Sequence, residues 1–292
     1  MSPSPEFLQY RGNGTTRDGR RAPSPPGEES LYLASPDLVH AVNAALLLEQ
    51  PLLVTGEAGT GKTALAYSIA AELELGEVEL FAVRSDHRGR EVLYEFDNFT
   101  RFYDAQAKDP QALDRSHYLC LGALGRAFAA LSRRVVLIDE IDKAPRDFPN
   151  DLLHALDRME LRIDELEESR PAHHRPVVVI TSNEESELPD AFLRRCVFHF
   201  IEHPGRERLA EILAERLAGL RLTPDLTERV LDRFVELRGV EGLLKKPTTS
   251  ELLTWVRVIH GADVTEDQLA GRLGDLPFLG TLLKTRPDFN RL

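Results

Sequence analysis

The segment that most constrains the fold of this chain is Gly56-Glu57-Ala58-Gly59-Thr60-Gly61-Lys62-Thr63, which fits the pattern GxxxxGK[ST]. The apolar run Pro51-Leu52-Leu53-Val54-Thr55 before it predicts a buried strand, and the residues after Thr63 follow a helical pattern. A glycine-rich loop in this position folds around a phosphate, because backbone N–H groups point inward and the helix end is partly positive. We therefore expect Lys62 to reach the β- and γ-phosphates of a nucleotide and the Thr63 hydroxyl to bind Mg²⁺.

A second signal is a pair of acids at the end of another apolar run. Val135-Val136-Leu137-Ile138 predicts a buried central strand, and Asp139 and Glu140 follow it directly. Open α/β sheets bind ligands at the carboxyl ends of their strands, so we expect both acids to face the phosphate loop. Neighbouring strand residues project in different directions, which allows Asp139 to hold Mg²⁺ and Glu140 to polarise an attacking water.

A third apolar run, Val177-Val178-Val179-Ile180-Thr181, ends close to Asn183. A neutral amide at this place can orient a water against the γ-phosphate. Asparagine at a strand exit is also a common turn former, so both interpretations stay open at this point.

The apolar runs alternate with helical patterns, which predicts a parallel α/β sheet with right-handed crossovers. Further strands are expected at 78–83 and 197–201, and a helix at 36–48. The strands stop after about residue 204, and helices are predicted at 207–220, 226–237, 250–260 and, more weakly, 266–273. The predicted organisation is an α/β nucleotide-binding domain over 31–204 and an α-helical domain over 205–292.

Residues 1–30 are rich in Ser, Pro, Gly and Arg, which predicts a disordered or loosely docked arm. A binding tail is the alternative. The net charge of −12 disfavours a protein that coats nucleic acid, since that activity needs a field of Lys and Arg. Cys120 and Cys196 lack metal-binding spacing, and no apolar run suits a membrane span or a signal peptide. We expect a soluble cytoplasmic protein with two reduced core thiols.

Taken together, these motifs resemble an AAA+ module. The resemblance identifies 56–63 as the Walker A motif, 135–140 as the Walker B motif and Asn183 as sensor 1. The stretch 188–195 resembles the helix that carries an arginine finger, with Arg194 and Arg195 as the two candidates. The resemblance implies a P-loop NTPase fold with a five-stranded parallel sheet of order 5-1-4-3-2, a small C-terminal helical lid, and ATP with Mg²⁺ as ligands.

Within AAA+ proteins, the chain is most similar to the MoxR family. The likeness rests on residues 41–45 and 51–53 before the phosphate loop, the stretch Ile138-Asp139-Glu140-Ile141-Asp142-Lys143-Ala144 with 149–153, and Thr181-Ser182-Asn183-Glu184-Glu185. It implies a homo-hexameric ring in which an arginine of one subunit reaches the nucleotide of its neighbour. An aromatic-rich insertion at 88–104 and a hairpin within 161–175 are also expected. Plain packing is the alternative explanation for the aromatic residues.

One departure from the family concerns the second sensor, an arginine that the family carries at the start of the third lid helix. The segment 243–251 has no arginine, and Lys246 is the candidate substitute. The resemblance implies an ATPase that remodels a protein client together with a von Willebrand factor A (VWA) domain partner. The alternatives are a nucleotide-gated scaffold with little turnover and a subunit of a DNA-acting complex.

Overall fold

The structure, a computed structural model, describes residues 8–23, 32–183, 188–220 and 222–292. The chain divides into two compact units, one formed by Met1–Gly56 and Lys62–Ile201 and the other by Glu57–Gly61 and Glu202–Leu292. This division falls close to the proposed boundary after residue 204. It differs from the proposed domains in grouping the tip of the phosphate loop with the C-terminal unit.

The first unit alternates strands and helices. In chain order its elements are α1 (Pro36–Leu48), β1 (Leu52–Gly56), α2 (Lys62–Glu72), β2 (Val78–Ala82), β3 (Tyr94–Phe96), α3 (Asn98–Gln106), β4 (Leu119–Leu121), α4 (Ala123–Ala129), β5 (Val135–Asp139), α5 (Phe148–Arg158), β6 (Glu160–Ile163), β7 (Glu168–Pro171), β8 (Val177–Ser182), α6 (Asp190–Leu193) and β9 (Val197–Ile201). The helix predicted at 36–48 and the five predicted core strands are therefore confirmed to within a residue or two.

Five of these strands form one parallel sheet in the order β2-β5-β8-β1-β9. When only these five strands are numbered along the chain and the sheet is read from β9, the order is 5-1-4-3-2, as predicted. The predicted fold class is also confirmed. All residues of β1 and β8 are buried, which explains why their sequences are continuous apolar runs rather than alternating ones. Separate apolar clusters cover the two faces of the sheet, with α1 and α2 on one face and α4 and α5 on the other.

Two small antiparallel pairs interrupt this plan. The pair β6–β7 is the hairpin expected within 161–175, and β3 pairs with β4 in the segment after β2. The aromatic residues of this segment behave in two ways. Tyr94 and Phe96 are buried, whereas Phe99, Phe102 and Tyr103 are 81 %, 60 % and 67 % exposed on α3. Packing therefore accounts for the first two residues only.

The N-terminal residues 8–23 correct the expectation of a disordered or loosely docked arm. Tyr10 is fully buried against α1 and α2, and its hydroxyl lies 2.8 Å from Ser68 Oγ. The carboxylate of Glu72 accepts the backbone N–H groups of Arg11, Gly12 and Gly14 at 3.1, 3.1 and 2.7 Å. Composition did not reveal these contacts, because one aromatic side chain and one distant carboxylate hold the segment. The remainder of the predicted arm, 1–7 and 24–30, lies outside the described residues.

The second unit is helical, with α7 (Arg206–Arg216), α8 (Pro224–Arg238), α9 (Thr249–Gly261) and α10 (Arg286–Phe289). Thr248 and Glu251 form a capping box at the start of α9, and the buried Trp255 donates its indole N–H to the Pro277 carbonyl oxygen. The prediction of a helix at 266–273 is wrong. Only short 3₁₀ turns form there, at Asp267–Leu269 and Leu273–Asp275, because Gly271 and Gly274 interrupt the segment.

Both cysteines are free thiols, but only one lies near the core. Cys196 packs against the sheet, whereas Cys120 is exposed on β4, which corrects the expectation of two core thiols. Among the residues that the structure describes, no helix is long and apolar enough to cross a membrane.

We expect Glu72→Gln to lower the free energy of unfolding by about 2 kcal/mol, since an amide replaces a carboxylate that accepts three backbone N–H groups. Urea unfolding measures this change. Glu74→Gln is the matched control, because the Glu74 side chain is 48 % exposed and, among the described residues, forms an ion pair only with Arg20, at 3.5 Å. Equal unfolding midpoints for the two variants would contradict the proposed role of Glu72.

The second unit should lose stability in mild acid. Burial, helped by the charge of Arg238, lowers the pKa of His203 from 6.5 to about 4. The neutral ring is therefore favoured in the folded state, and its contribution is complete above pH 6.5 and disappears as the pH falls toward 4. After allowance for its half-exposed position, we expect a loss of about 1–2 kcal/mol.

Thermal unfolding of the wild type and of His203→Asn between pH 7.5 and 4.5 measures this effect. The variant should show the weaker pH dependence, because the asparagine amide can still donate to the Pro204 carbonyl oxygen, which lies 3.0 Å from His203 Nδ1. His40→Gln, at an exposed position of α1, should follow the wild type. Parallel curves for wild type and His203→Asn would contradict the assignment.

Candidate functional site

The glycines of the phosphate loop adopt backbone conformations that other residues rarely reach. Gly56, Gly59 and Gly61 have φ values of 144°, 75° and 90°. A Cβ atom on Gly59 would also lie 2.8 Å from Thr248 Cβ. The loop leads into α2, which begins at Lys62 and leaves its first N–H groups open to a ligand. The loop can therefore hold an anion against a helix N-terminus, as its sequence predicts.

The side chain of Lys62 is buried at the centre of this site. Its Nζ donates to the Gly56 carbonyl oxygen at 2.8 Å and to Asn183 Oδ1 at 3.0 Å. Burial lowers the pKa of Lys62, and the nearby charges of Asp142, Asp139 and Glu140 oppose that effect. A bound phosphate would supply further negative charge to this partly desolvated ammonium group.

Asp139 and Thr63 lie together as expected. Thr63 Oγ1 donates to Asp139 Oδ1 at 2.9 Å, so a hydroxyl and a carboxylate meet beside the loop. These are hard oxygen ligands of the kind that Mg²⁺ binds. In the described part of the chain, no group of three or more His, Cys, Asp or Glu side chains is arranged to hold a metal. Mg²⁺ usually takes one or two carboxylates and completes its shell with water and phosphate oxygens.

Thr181 is a site residue that the sequence analysis did not single out. Its hydroxyl is buried, donates to Asp139 Oδ1 at 2.7 Å and accepts the backbone N–H of Glu140 at 2.8 Å. The Thr181 side chain thus contacts both the carboxylate of Asp139, at the end of β5, and the backbone of Glu140, which follows it. The signal available in the sequence was a polar residue at the end of an otherwise apolar strand.

Glu140 has a left-handed backbone conformation, with φ 59° and ψ 54°. This conformation is uncommon for a residue other than glycine, and such strain is found at functional sites. The side chain is 41 % exposed, and its carboxylate forms an ion pair with Lys143. Glu140 therefore lies at the carboxyl end of β5, turned away from the line of the strand.

Asn183 also lies at this edge of the sheet, immediately after β8. Its backbone N–H donates to Asp142 Oδ1 at 3.0 Å, and its Nδ2 lies 3.4 Å from Asp142 Oδ2. Lys62, Thr63, Asp139, Glu140 and Asn183, separated by up to 121 positions in sequence, are thus brought to one edge of the central sheet.

Arg194 and Arg195 lie at the opposite end of the sheet, where its strands begin. They precede β9, whose Val197 pairs with Leu52 while Ile201 pairs with Gly56. At about 3.3 Å per residue, the start of β9 is about 13 Å from the end of β1, and the arginines lie further back along the chain. Arg195 is engaged by Asp157 Oδ2 at 3.1 Å and by the Ala191 carbonyl oxygen at 2.8 Å. The side chain of Arg194 is exposed and makes no hydrogen bond or ion pair with any described residue.

Within the second unit, Arg238 contacts the tip of the phosphate loop. It donates to Glu57 Oε2 at 2.8 Å and to the Pro247 carbonyl oxygen. Burial alone would raise the pKa of Glu57, but the hydrogen bond and charge of Arg238 outweigh it and the pKa is lowered. Lys246 is exposed and contributes a smaller charge effect on Glu57. Arg238, at the end of α8, was not predicted from the sequence, because the family's second sensor is expected at the start of α9.

A glycine-rich loop with a buried lysine, together with an aspartate and a glutamate at the carboxyl end of another strand of the same parallel sheet, defines a P-loop nucleotide-binding protein. The family described as AAA domain (dynein-related subfamily) matches residues 51–196, half of the chain, and the chain belongs to that family. The match covers β1 through α6, and therefore every site residue named above except the lid residues Arg238 and Lys246.

A solved structure with a TM-score above 0.5 shares this fold. NtrX from Brucella abortus in complex with ATP has a TM-score of 0.53 at 15 % identity, over 83 % of this chain and 54 % of that chain. The FIGL-1 AAA domain in complex with ADP has a TM-score of 0.43 at 19 % identity, over 82 % of this chain and 70 % of that chain. At these identities the comparison with NtrX shows the fold alone. No curated protein matches the chain in sequence.

Proposed function

We propose that this protein hydrolyses ATP in the presence of Mg²⁺. The observation that carries the proposal is the convergence of Lys62, Thr63, Asp139, Glu140 and Asn183 on one edge of the sheet. Binding a nucleotide would require only the loop and the lysine. A carboxylate and an amide placed beyond the phosphate position are the groups that hydrolysis needs in addition.

Each residue has a distinct task in this proposal. The loop Gly56–Thr63 holds the phosphates, with Lys62 at the β- and γ-phosphates. Thr63 and Asp139 hold Mg²⁺, which when bound neutralises charge on the phosphate oxygens. Glu140 polarises the attacking water and Asn183 orients it. Glu140 forms an ion pair with Lys143, so Glu140 has to exchange this partner for water.

We assign the arginine finger to Arg194 rather than to Arg195. Arg195 already has a carboxylate and a carbonyl partner, whereas Arg194 has an exposed guanidinium that no described residue engages. Because both residues lie at the amino edge of the sheet, neither can serve the phosphate loop of its own subunit. The finger therefore has to act in a second subunit, and this requirement supports the ring assembly, a homo-hexamer, that the family resemblance implies.

The particular task that we propose is MoxR-type remodelling of a protein client with a VWA-domain partner. The support comes from the sequence resemblance and from the two antiparallel insertions at the positions where the resemblance implies them. Glu140→Gln protein loaded with ATP, compared with the same protein loaded with ADP, provides the test for capture of such a partner. A nucleotide-gated scaffold predicts binding without turnover, and a DNA-acting complex predicts hydrolysis that DNA stimulates.

Glu140→Gln should retain ATP binding and lower the single-turnover hydrolysis rate by about 10²- to 10⁴-fold, because an amide cannot polarise water as a carboxylate does. Lys62→Ala should lose nucleotide binding itself. Nucleotide affinity and release of labelled phosphate are the two measurements. If wild type and Glu140→Gln bind ATP equally and both fail to hydrolyse it, the scaffold alternative replaces the enzyme.

Arg194→Ala should retain ATP binding and lower hydrolysis by about 10³-fold or more, since it removes a charge from the transferring phosphoryl group. Arg195→Ala, the matched control, should have the smaller effect. Mixing Arg194→Ala with Glu140→Gln protein provides the test for action between subunits. Interfaces that combine an intact Glu140 with a neighbour's intact Arg194 should recover activity, whereas an arginine acting within its own subunit would give no recovery.

A further inference from the structure

The side-chain amide of Asn183 lies between two groups of opposite hydrogen-bonding character. Its Oδ1 accepts from Lys62 Nζ at 3.0 Å, and its Nδ2 faces Asp142 Oδ2 at 3.4 Å. The ammonium group can only donate hydrogen bonds, and an ionised carboxylate can only accept them. The amide therefore has one allowed orientation, because the reversed orientation would oppose donor to donor and acceptor to acceptor.

Asp142 holds the main chain of Asn183 as well as its side chain. The other carboxylate oxygen, Oδ1, accepts the backbone N–H of Asn183 at 3.0 Å. Two bonds from one carboxylate thus determine both the position of the residue at the exit of β8 and the direction of its amide. The backbone bond is the shorter of the two and anchors the pair.

The segment that carries Asp142 is itself well anchored. It is the 3₁₀ turn Ile141–Lys143 that follows Glu140, and Ile141 is buried in the core. Backbone bonds from Lys143 to Glu140 and from Ala144 to Ile141 close the turn at 3.0 Å each. Asp142 therefore links Asn183 to the turn that begins at Glu140, so that the two groups proposed to handle the attacking water share one support.

We propose that Asp142 is a positioning residue for ATP hydrolysis, which holds the Asn183 side-chain nitrogen and so directs the amide oxygen toward Lys62, on the phosphate-binding side of the site. This inference rests on the proposed function and adds a residue to it. When a triphosphate binds Lys62, Asn183 Oδ1 loses its donor, and only Asp142 then keeps the amide from turning. A reversed amide would direct its nitrogen toward the phosphate-binding side, where the amide oxygen is needed to accept a hydrogen bond from the attacking water.

The test uses Asp142→Asn, which keeps the shape of the side chain but can donate as well as accept. We expect ATP affinity within about threefold of wild type and a single-turnover rate lowered about 10- to 100-fold, the size of effect that misplacement of a group by about 1 Å produces. Asp147→Asn is the matched control. It makes the same change of charge five positions along the chain, at an exposed residue without a side-chain bond to any described residue, and should hydrolyse ATP at the wild-type rate.

A double-mutant comparison isolates the route of the effect. If Asp142 acts through Asn183, adding Asp142→Asn to Asn183→Ala should cause no further loss of rate. A full additional loss would overturn the inference, and so would a wild-type rate for Asp142→Asn alongside a slow Asn183→Ala. Loss of activity in the control Asp147→Asn would attribute the effect to net charge and would also overturn it.

A second measurement does not depend on turnover. In the protein saturated with a non-hydrolysable ATP analogue, the side-chain NH₂ resonances of Asn183 should be protected from exchange in the wild type and lose that protection in Asp142→Asn. Unchanged protection would overturn the inference even if ATP is hydrolysed. Absence of hydrolysis by the wild type, with the protection lost in the variant as expected, would overturn the proposed function while leaving the positioning contact established.

Discussion

The buried ammonium group of Lys62 is the constraint around which the site is arranged. A cation withdrawn from water needs acceptors, and in this structure it takes a loop carbonyl and the Asn183 amide oxygen, with three carboxylates nearby. Those partners come from β1, β5 and β8, so the parallel order of these strands is required for the lysine to be accommodated. A nucleotide phosphate can replace the neutral partners with a formal charge, which links the stability of this region to ligand binding.

The acids around the lysine are themselves held by neutral or donor groups. The Thr181 hydroxyl donates to the Asp139 carboxylate and accepts the backbone N–H of Glu140. The Asp142 carboxylate accepts the backbone N–H of Asn183 and faces its side-chain Nδ2. Buried and half-buried polar groups of this kind are costly unless each has a partner with good geometry. Bonds within the network therefore restrict the direction of each functional group before any ligand arrives. Glu140 is an example: its backbone is left-handed, and its backbone N–H donates to the Thr181 hydroxyl.

The positions of Arg194 and Arg195 explain why the proposed arginine finger calls for a second subunit. Parallel strands put all carboxyl ends on one side and all amino ends on the other, so residues before β9 cannot approach the phosphate loop that follows β1. In the assembly that we propose, a head-to-tail contact between copies brings the two ends of the sheet together, and such contacts generate rings when the rotation closes. The N-terminal residues 8–23 lie elsewhere, on α1 and the far end of α2, and stabilise the first unit from that side.

The sequence by itself determined the fold class and the candidate phosphate-binding and acidic residues, and the family resemblance implied the strand order. The fold class and the candidate residues follow from local patterns: apolar runs of strand length, helical periodicity, and a glycine spacing that suits a phosphate-binding loop. The sequence could not predict the packing of residues 8–23, the role of Thr181, Asp142 and Arg238, or the absence of a helix at 266–273. Those depend on contacts between residues distant in the chain, such as the carboxylate of Glu72 with the backbone of Gly14, 58 positions away. The tertiary structure alone decided which of Arg194 and Arg195 has no side-chain partner among the described residues, and which way the Asn183 amide turns. Hydrogen-bond partners on neighbouring strands have no signature in a single stretch of sequence.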